Sequence, residues 1–367
     1  MSRTGAPPKP GTRTGPRTAL TAEAGPFGLR VPVRVVTTVL ALLLAGFAAF
    51  TASVSLGTYA IPLPDVLDAL FGYGDGAADL VVHKLRLPRA LTAVLAGLAF
   101  GMAGAVYQAV TRNPLASPDL IGISAGAGAG AVATILFGGV TAAGAGTFGA
   151  VPFGALGGAL LTAAVIYAFA YRGGTITGYR FVLVGIAAAG ALAALTRWML
   201  ARADIDQAAR AMVWLTGSLN GRSWSHVAWV GWALLILVPL TFALARPYQL
   251  LQFDDSTALS LGMRLHRARV VLLIAATCLA AVATAVAGPV AFVALGAPQI
   301  ARRVAGTAGV PLLTSGLMGA VLMLAADLAG RLVLAPTELP VGIVTGAVGA
   351  PYLLFLLARS NRAGRGG

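Results

Sequence analysis

The chain has 367 residues, 58% of them hydrophobic and only 10% charged, and its mean hydropathy is +0.85. A soluble globular protein carries about 25% charged residues, so a soluble domain is excluded. Apolar runs of about 20 residues, rather than alternation over about 10, argue against a membrane β-barrel. The net charge of +14 lies largely in the two tails and the short loops, where it orients a membrane protein and is no nucleic-acid footprint.

Residues 1–30, with Arg3, Lys9, Arg13, Arg17 and Arg30 among Pro, Gly and Thr, read as a disordered basic tail. No convincing small-residue cleavage site follows near Ala52, so 31–55 reads as an uncleaved first helix. Stretches of spanning length fall at 33–55, 88–110, 119–139, 149–171, 180–201, 227–245, 268–288, 290–305, 312–330 and 341–358. The stretch 290–305 is short and holds Pro298, so 268–305 also reads as one long broken helix. The expected fold is thus an all-α polytopic membrane protein of about ten transmembrane helices, with one membrane domain over 31–358 and a second basic tail over 359–367. Ten spans put both termini on one side. Arg112, Arg264, Arg267, Arg269, Arg302, Arg303 and the basic tails make that side cytoplasmic. Lys84, Arg86, Arg89, Arg222 and Arg331 are among the fewer basic residues left outside.

Between the second and third spans, Gln108 to Gly126 holds Asn113-Pro114 and Pro118-Asp119. The two prolines forbid a continuous helix. The segment reads either as a tight re-entrant turn or as irregular backbone lining a cavity, the only place such backbone is tolerated at membrane depth. A long polar island, 246–269, interrupts the apolar runs further on. Asp254-Asp255 before Ser256, Thr257, Ala258 and Leu259 reads as the acidic start of a short helix, and Gly262, after Leu261, as its stop. Such a loop is either a solvated connector or a docking knob. Asp327 lies four residues before Arg331 on one helix face, a spacing that suits a structural ion pair. Arg86, Arg89 and Arg331 at outer helix ends read as snorkelling side chains or as receivers of partner carboxylates.

His83, His226 and His266 are scattered and Cys278 is the lone cysteine, so no metal site is expected. No G-x-x-x-x-G-K-[ST] occurs, so the chain is not expected to hydrolyse ATP or to act as an enzyme on its own. A proton- or sodium-coupled transporter would need buried ionisable residues, for which Asp327 alone is a candidate.

An ordered set of motifs resembles the FecCD-type permeases of iron-siderophore, haem and cobalamin importers. It runs through Arg86-Leu-Pro-Arg89, Gly97, Gly101, Gly104, Gln108, Arg112-Asn113-Pro114-Leu115 and Trp214-Leu-Thr-Gly217-Ser218-Leu-Asn220-Gly221. It continues through Asp254-Asp255 to Gly262, Gly288-Pro289-Val290-Ala291-Phe292-Val293, Ala297-Pro298-Gln299 and Glu338-Leu339-Pro340. Gln299 stands where the family usually has His. The run is most similar to ferric-enterobactin-type subunits. The resemblance implies a type II importer permease in the bacterial inner membrane, carrying ferric siderophores or, alternatively, haem or cobalamin. It implies two ATPase subunits that hold ATP-Mg, a second permease subunit, identical or paralogous, and an extracytoplasmic siderophore-binding lipoprotein; this chain itself would bind no cofactor. On the same ground, Asp254 to Thr257, Ala258, Leu261 and Gly262 would dock the ATPase. Arg86, Arg89 and Arg331 would dock the binding protein.

Overall fold

The computed structural model describes residues 19–22, 29–57, 61–70, 76–138, 149–172, 175–176 and 178–363. Most of the expected basic tails lies outside the described residues; Ala19–Ala22 and Leu29–Pro32 form a short antiparallel ribbon, β1–β2. The rest is helical apart from a second ribbon, Tyr171–Arg172 with Thr175–Ile176, β3–β4.

In chain order the helices are α1 (Val33–Ser55), α2 (Leu63–Leu70), α3 (Gly76–Asp79), α4 (Leu87–Thr111), α5 (Ile123–Phe137), α6 (Val151–Ala170) and α7 (Gly178–Ala201). Then come α8 (Ile205–Leu215), α9 (Trp224–Ala243), α10 (Ala245–Leu250), α11 (Asp255–Ser260) and α12 (Leu265–Ala287). The last three are α13 (Val293–Ala305), α14 (Leu312–Leu332) and α15 (Val341–Ala363).

Seven of the described helical stretches are long and apolar enough to cross a membrane. They correspond to seven of the ten expected spans, and two of the other three differ in instructive ways. The stretch expected over 119–139 is a 15-residue helix, α5, because Pro118 and the left-handed Gly122 (φ 89°) delay its start. The stretch expected over 290–305 is α13, only 13 residues long and polar at its Arg302-Arg303 end. It begins beside Gly104, inside the bundle, after a break at Gly288 (φ 74°). The stretch 341–358 lies wholly within the helix α15, as expected. The expected second span also starts earlier than 88, because a wide-turned π-helical segment, Leu80–Arg86, runs straight into α4. The amphipathic α8 has no counterpart in the sequence reading.

The centre of the bundle is α4 and α12, each with 78% of its apolar window buried, against 11%, 17% and 22% for α1, α7 and α9. Side chains such as Leu44, Phe47, Trp232 and Ile236 lie more than two-thirds exposed. A surface of that kind is covered by lipid or by another subunit. Packing at the centre is backbone against backbone. A β-carbon on Gly97, Gly101 or Gly104 would overlap the carbonyl oxygen of Gly319, Ser315 or Ala294, respectively. Helices approach this closely in lipid because small residues maximise dispersion contact where no hydrophobic drive exists.

Candidate functional site

At one end of the bundle the polar island folds as a knob. Asp254 caps α11: its carboxylate accepts the Thr257 amide at 3.3 Å and the Thr257 hydroxyl at 2.6 Å, and also the Ser256 hydroxyl. Those hydroxyls and the amide hold its carboxyl at about 2. Gly262, in the left-handed region (φ 77°), ends the turn. Phe253, Leu259 and Leu261 project from this polar loop with 57%, 56% and 61% of their surface exposed. Ala258 is fully buried, so this expected docking residue packs the knob from within and presents nothing at its surface. Phe253 and Leu259 were not among the expected docking residues; apolar side chains in a water-facing loop are the signal that could have found them.

The knob is fastened to the centre of the protein. Arg112, at the end of α4 with a left-handed backbone (φ 51°), donates to the Asp255 carboxylate at 2.5 Å and to the Leu251 carbonyl at 3.2 Å. Arg269 of α12 reaches the same Asp255 oxygen at 2.7 Å. Partial burial pushes the Asp255 carboxyl up, and the hydrogen bonds from Arg269 and Arg112 more than offset it, leaving it below the ordinary carboxylate range. A second fastening joins Tyr248 and Gln252 to Val310, just before α14, through bonds of 2.6, 3.2 and 2.8 Å.

One turn back along α4, Gln108 donates to the Leu295 carbonyl at 3.0 Å and accepts from Gln299 at 2.5 Å. Gln299 also donates to the Pro114 carbonyl at 3.4 Å, and its own oxygen accepts from Arg302 at 3.2 Å. Asn113 closes a tight turn by accepting the Leu115 amide at 3.0 Å. The segment is therefore a compact turn and also a wall: Gln108, Arg112, Pro114, Gln252 and Gln299 enclose a cavity of about 180 Å³. Pro298 sits inside α13, one residue before Gln299. Gly288 and Pro289 pack on Gly217, whose carbonyl in turn accepts the Gly342 amide at 3.1 Å, so this break in α12–α13 is braced by the end of α8 and the start of α15.

At the opposite end, Arg86, Arg89 and Arg331 come together, and each has partners within the chain. Arg89 bonds both Asp327 oxygens at 3.0 and 3.2 Å and Glu338 at 2.8 Å. Arg331 sits 3.3 Å from Asp327 and donates to the Ser53 carbonyl at 2.9 Å, the Ser53 hydroxyl at 2.6 Å and the Leu56 carbonyl at 3.2 Å. Arg86 donates to the Val54 and Ser55 carbonyls, both at 2.8 Å. The expected Asp327–Arg331 pair is present, and Arg89, distant in sequence, is the nearer partner. The three arginines nevertheless line a cavity of about 380 Å³ together with Lys84, Arg222 and Glu338. Burial lowers Arg222 to about 10, so it stays charged at neutral pH. Five cations and one acid line its wall, with Asp327 paired to Arg89 and Arg331, so the cavity keeps an excess of positive charge. Among the described residues, no cluster of His, Cys, Asp or Glu is arranged to hold a metal ion.

The profile of the FecCD transport family matches residues 39–359. The chain belongs to this family. The FecCD relatives include the ferric enterobactin permease FepG of Escherichia coli, 38% identical over 83% of this chain and 91% of the relative. The achromobactin permease CbrC of Dickeya dadantii is 38% identical over 92% of this chain and 95% of the relative. An inward-facing structure of a metal-chelate type ABC transporter superposes with a TM-score of 0.77 at 25% identity, over 88% of this chain and 99% of that one. The FecCD permease architecture, polytopic and helical, is thus that of an ABC transporter's membrane subunit.

Proposed function

We propose that this FecCD permease carries ferric siderophores inward across the bacterial cytoplasmic membrane, driven by ATPase subunits that dock on the 246–269 knob. The knob carries the reading. Phe253, Leu259 and Leu261 form an apolar tip on a loop that is otherwise polar, and an exposed patch of that kind is a protein contact. The siderophore permeases among its relatives point to the cargo class. The knob end faces the cytoplasm, with both termini, because most of the basic loop residues lie there. The chain has no phosphate-binding loop of its own, so ATP-Mg is held by two ATPase partners. A second permease subunit covers part of the exposed surface, and an extracytoplasmic binding lipoprotein presents acidic side chains to the cavity of Arg86, Arg89, Arg331 and Arg222.

In this mechanism no residue of the chain forms or breaks a covalent bond. ATP binding and hydrolysis move the ATPase; the knob follows and pulls Arg112, hence α4, and Val310, hence α14. The turn held by Gln108 and Gln299 then changes its packing, and the path opens to one side or the other. The test is co-purification together with iron uptake in a strain lacking the permease. Wild type restores siderophore-dependent uptake and retains the ATPase. Phe253→Asp with Leu261→Asp keeps the permease in the membrane and loses both. An intact complex and full uptake in that double variant would overturn the reading.

A further inference from the structure

A groove of about 550 Å³ lies on the outer surface between α6 and α12. Leu160, Ala164 and Ala168 of α6 face Val270, Ile274 and Cys278 of α12, so its walls are apolar. Its end nearer the knob is formed by Tyr171 and His266, whose ring centroids lie 5.5 Å apart. The His266 Nδ1 is buried and has no hydrogen-bond partner. From His266 to Cys278 the groove runs ~18 Å at the helical rise, close to the ~15 Å of hydrocarbon in one leaflet. Arg264 and Arg267, in the adjoining loop and first turn of α12, are exposed. Neither has an acid partner among the described residues, whereas Arg269 on the other side is bound to Asp255.

We infer that this groove holds one acyl chain of an anionic phospholipid from the leaflet at the knob end, with its phosphate on Arg264 and Arg267 beside Tyr171 and His266. The length fits a single leaflet, the lining is mostly hydrocarbon, with the Tyr167 and Thr277 hydroxyls bonded to each other, and positive charge flanks the polar mouth. A peptide segment in the same groove would leave its backbone groups without partners against these walls. The inference rests on the membrane fold and is independent of the ATPase reading.

The test is native mass spectrometry of the full chain released from detergent, with phosphatidylglycerol or phosphatidylcholine of identical chains added. Two arginines near the headgroup favour the anionic lipid by roughly tenfold. One phosphatidylglycerol should therefore survive activation that strips the zwitterionic lipid. Arg264→Gln with Arg267→Gln should abolish the preference while keeping lipid retention. Ala164→Trp, which fills the groove, should remove the retained lipid altogether. A second measurement needs no variant: N-ethylmaleimide should modify Cys278 about tenfold more slowly in nanodiscs of phosphatidylglycerol than of phosphatidylcholine. Equal retention of both lipids, or equal Cys278 reactivity in both nanodiscs, overturns the inference. So does Cys278 protection that tracks permease pairing whatever the lipid, since a second subunit would then cover the groove.

Discussion

Asp327 shows what single residues contribute here. It is buried between Arg89 and Arg331, and a buried ion pair that loses one partner costs about 3–5 kcal/mol. Arg89 keeps Glu338 after Asp327→Asn, and Arg331 keeps its three oxygen partners in α1 and the turn after it. We therefore expect a loss at the low end, roughly 3 kcal/mol, read as a lower melting temperature in detergent. Uptake per folded molecule should persist in proteoliposomes supplied with ATP, the ATPase and the binding protein, with no ion gradient. Uptake that needs a proton gradient and vanishes in Asp327→Asn would instead point to an ion-coupled transporter. The sequence revealed half of this cluster. The four-residue spacing exposes Asp327–Arg331, whereas Arg89 lies 238 positions away, and main-chain acceptors such as the Ser53 carbonyl leave no mark on residue identity. Ala258 is a residue of the opposite kind: small, in the knob, and wholly internal. Ala258→Arg should therefore loosen the knob itself, seen as faster amide exchange over 254–262. Leu261→Arg should leave exchange unchanged and lose only the ATPase.

At the scale of elements, close backbone approach governs α4, α13 and α14. Gly101→Val would drive side-chain atoms into the Ser315 carbonyl. Overpacking of a dense interior typically costs 1–3 kcal/mol, and more where the obstacle is backbone. The expected result is a sharp fall in folded permease by size-exclusion chromatography, against a near-normal yield for Gly190→Val, where a β-carbon meets open space. The glycine-rich run of α4 was visible in the sequence because its spacing keeps one face small. The ends of α5 and α13 were less visible: hydropathy counts apolar residues and does not say at what depth a helix starts. The α8 segment escaped because its Asp206 and Arg210 place it outside any apolar window while its other face stays apolar.

For the whole molecule, the link from knob to centre is the feature that can be tested most directly. A depressed carboxyl favours folding above the unfolded value of ~3.9. The contribution of Asp255 is thus present above ~pH 4 and is lost as pH falls through its lower folded value. ATP-driven uptake should consequently show no titration of this link between roughly pH 6 and 8. Arg112→Asp should leave the ATPase bound and hydrolysing while uptake falls by tenfold or so; for a charge-assisted bond of roughly 1.5–3 kcal/mol that is the expected order. Pairing it with Asp255→Arg should restore part of the uptake. Equal loss of hydrolysis and uptake, without rescue, would make the pair a structural clasp only. The broad topology and the family's motifs were legible in the sequence because membrane insertion writes itself in long apolar runs and in basic loops. The convergence of Arg112 with Asp255, 143 positions apart, was not, because tertiary proximity has no period.

The glycine seam between α4 and α14 has one more consequence. With carbonyl oxygens of one helix seated where side chains are missing on the other, at Gly97–Gly319 and Gly101–Ser315, neither helix can slide a single residue past its neighbour without collision. The two behave as a keyed shaft. One end of that shaft carries Arg112 and the Val310 junction, and the other carries Arg89, Asp327 and Arg331. In the proposed mechanism a stroke at the knob is therefore passed along α4 and α14 to the arginine cavity at the other end of the bundle.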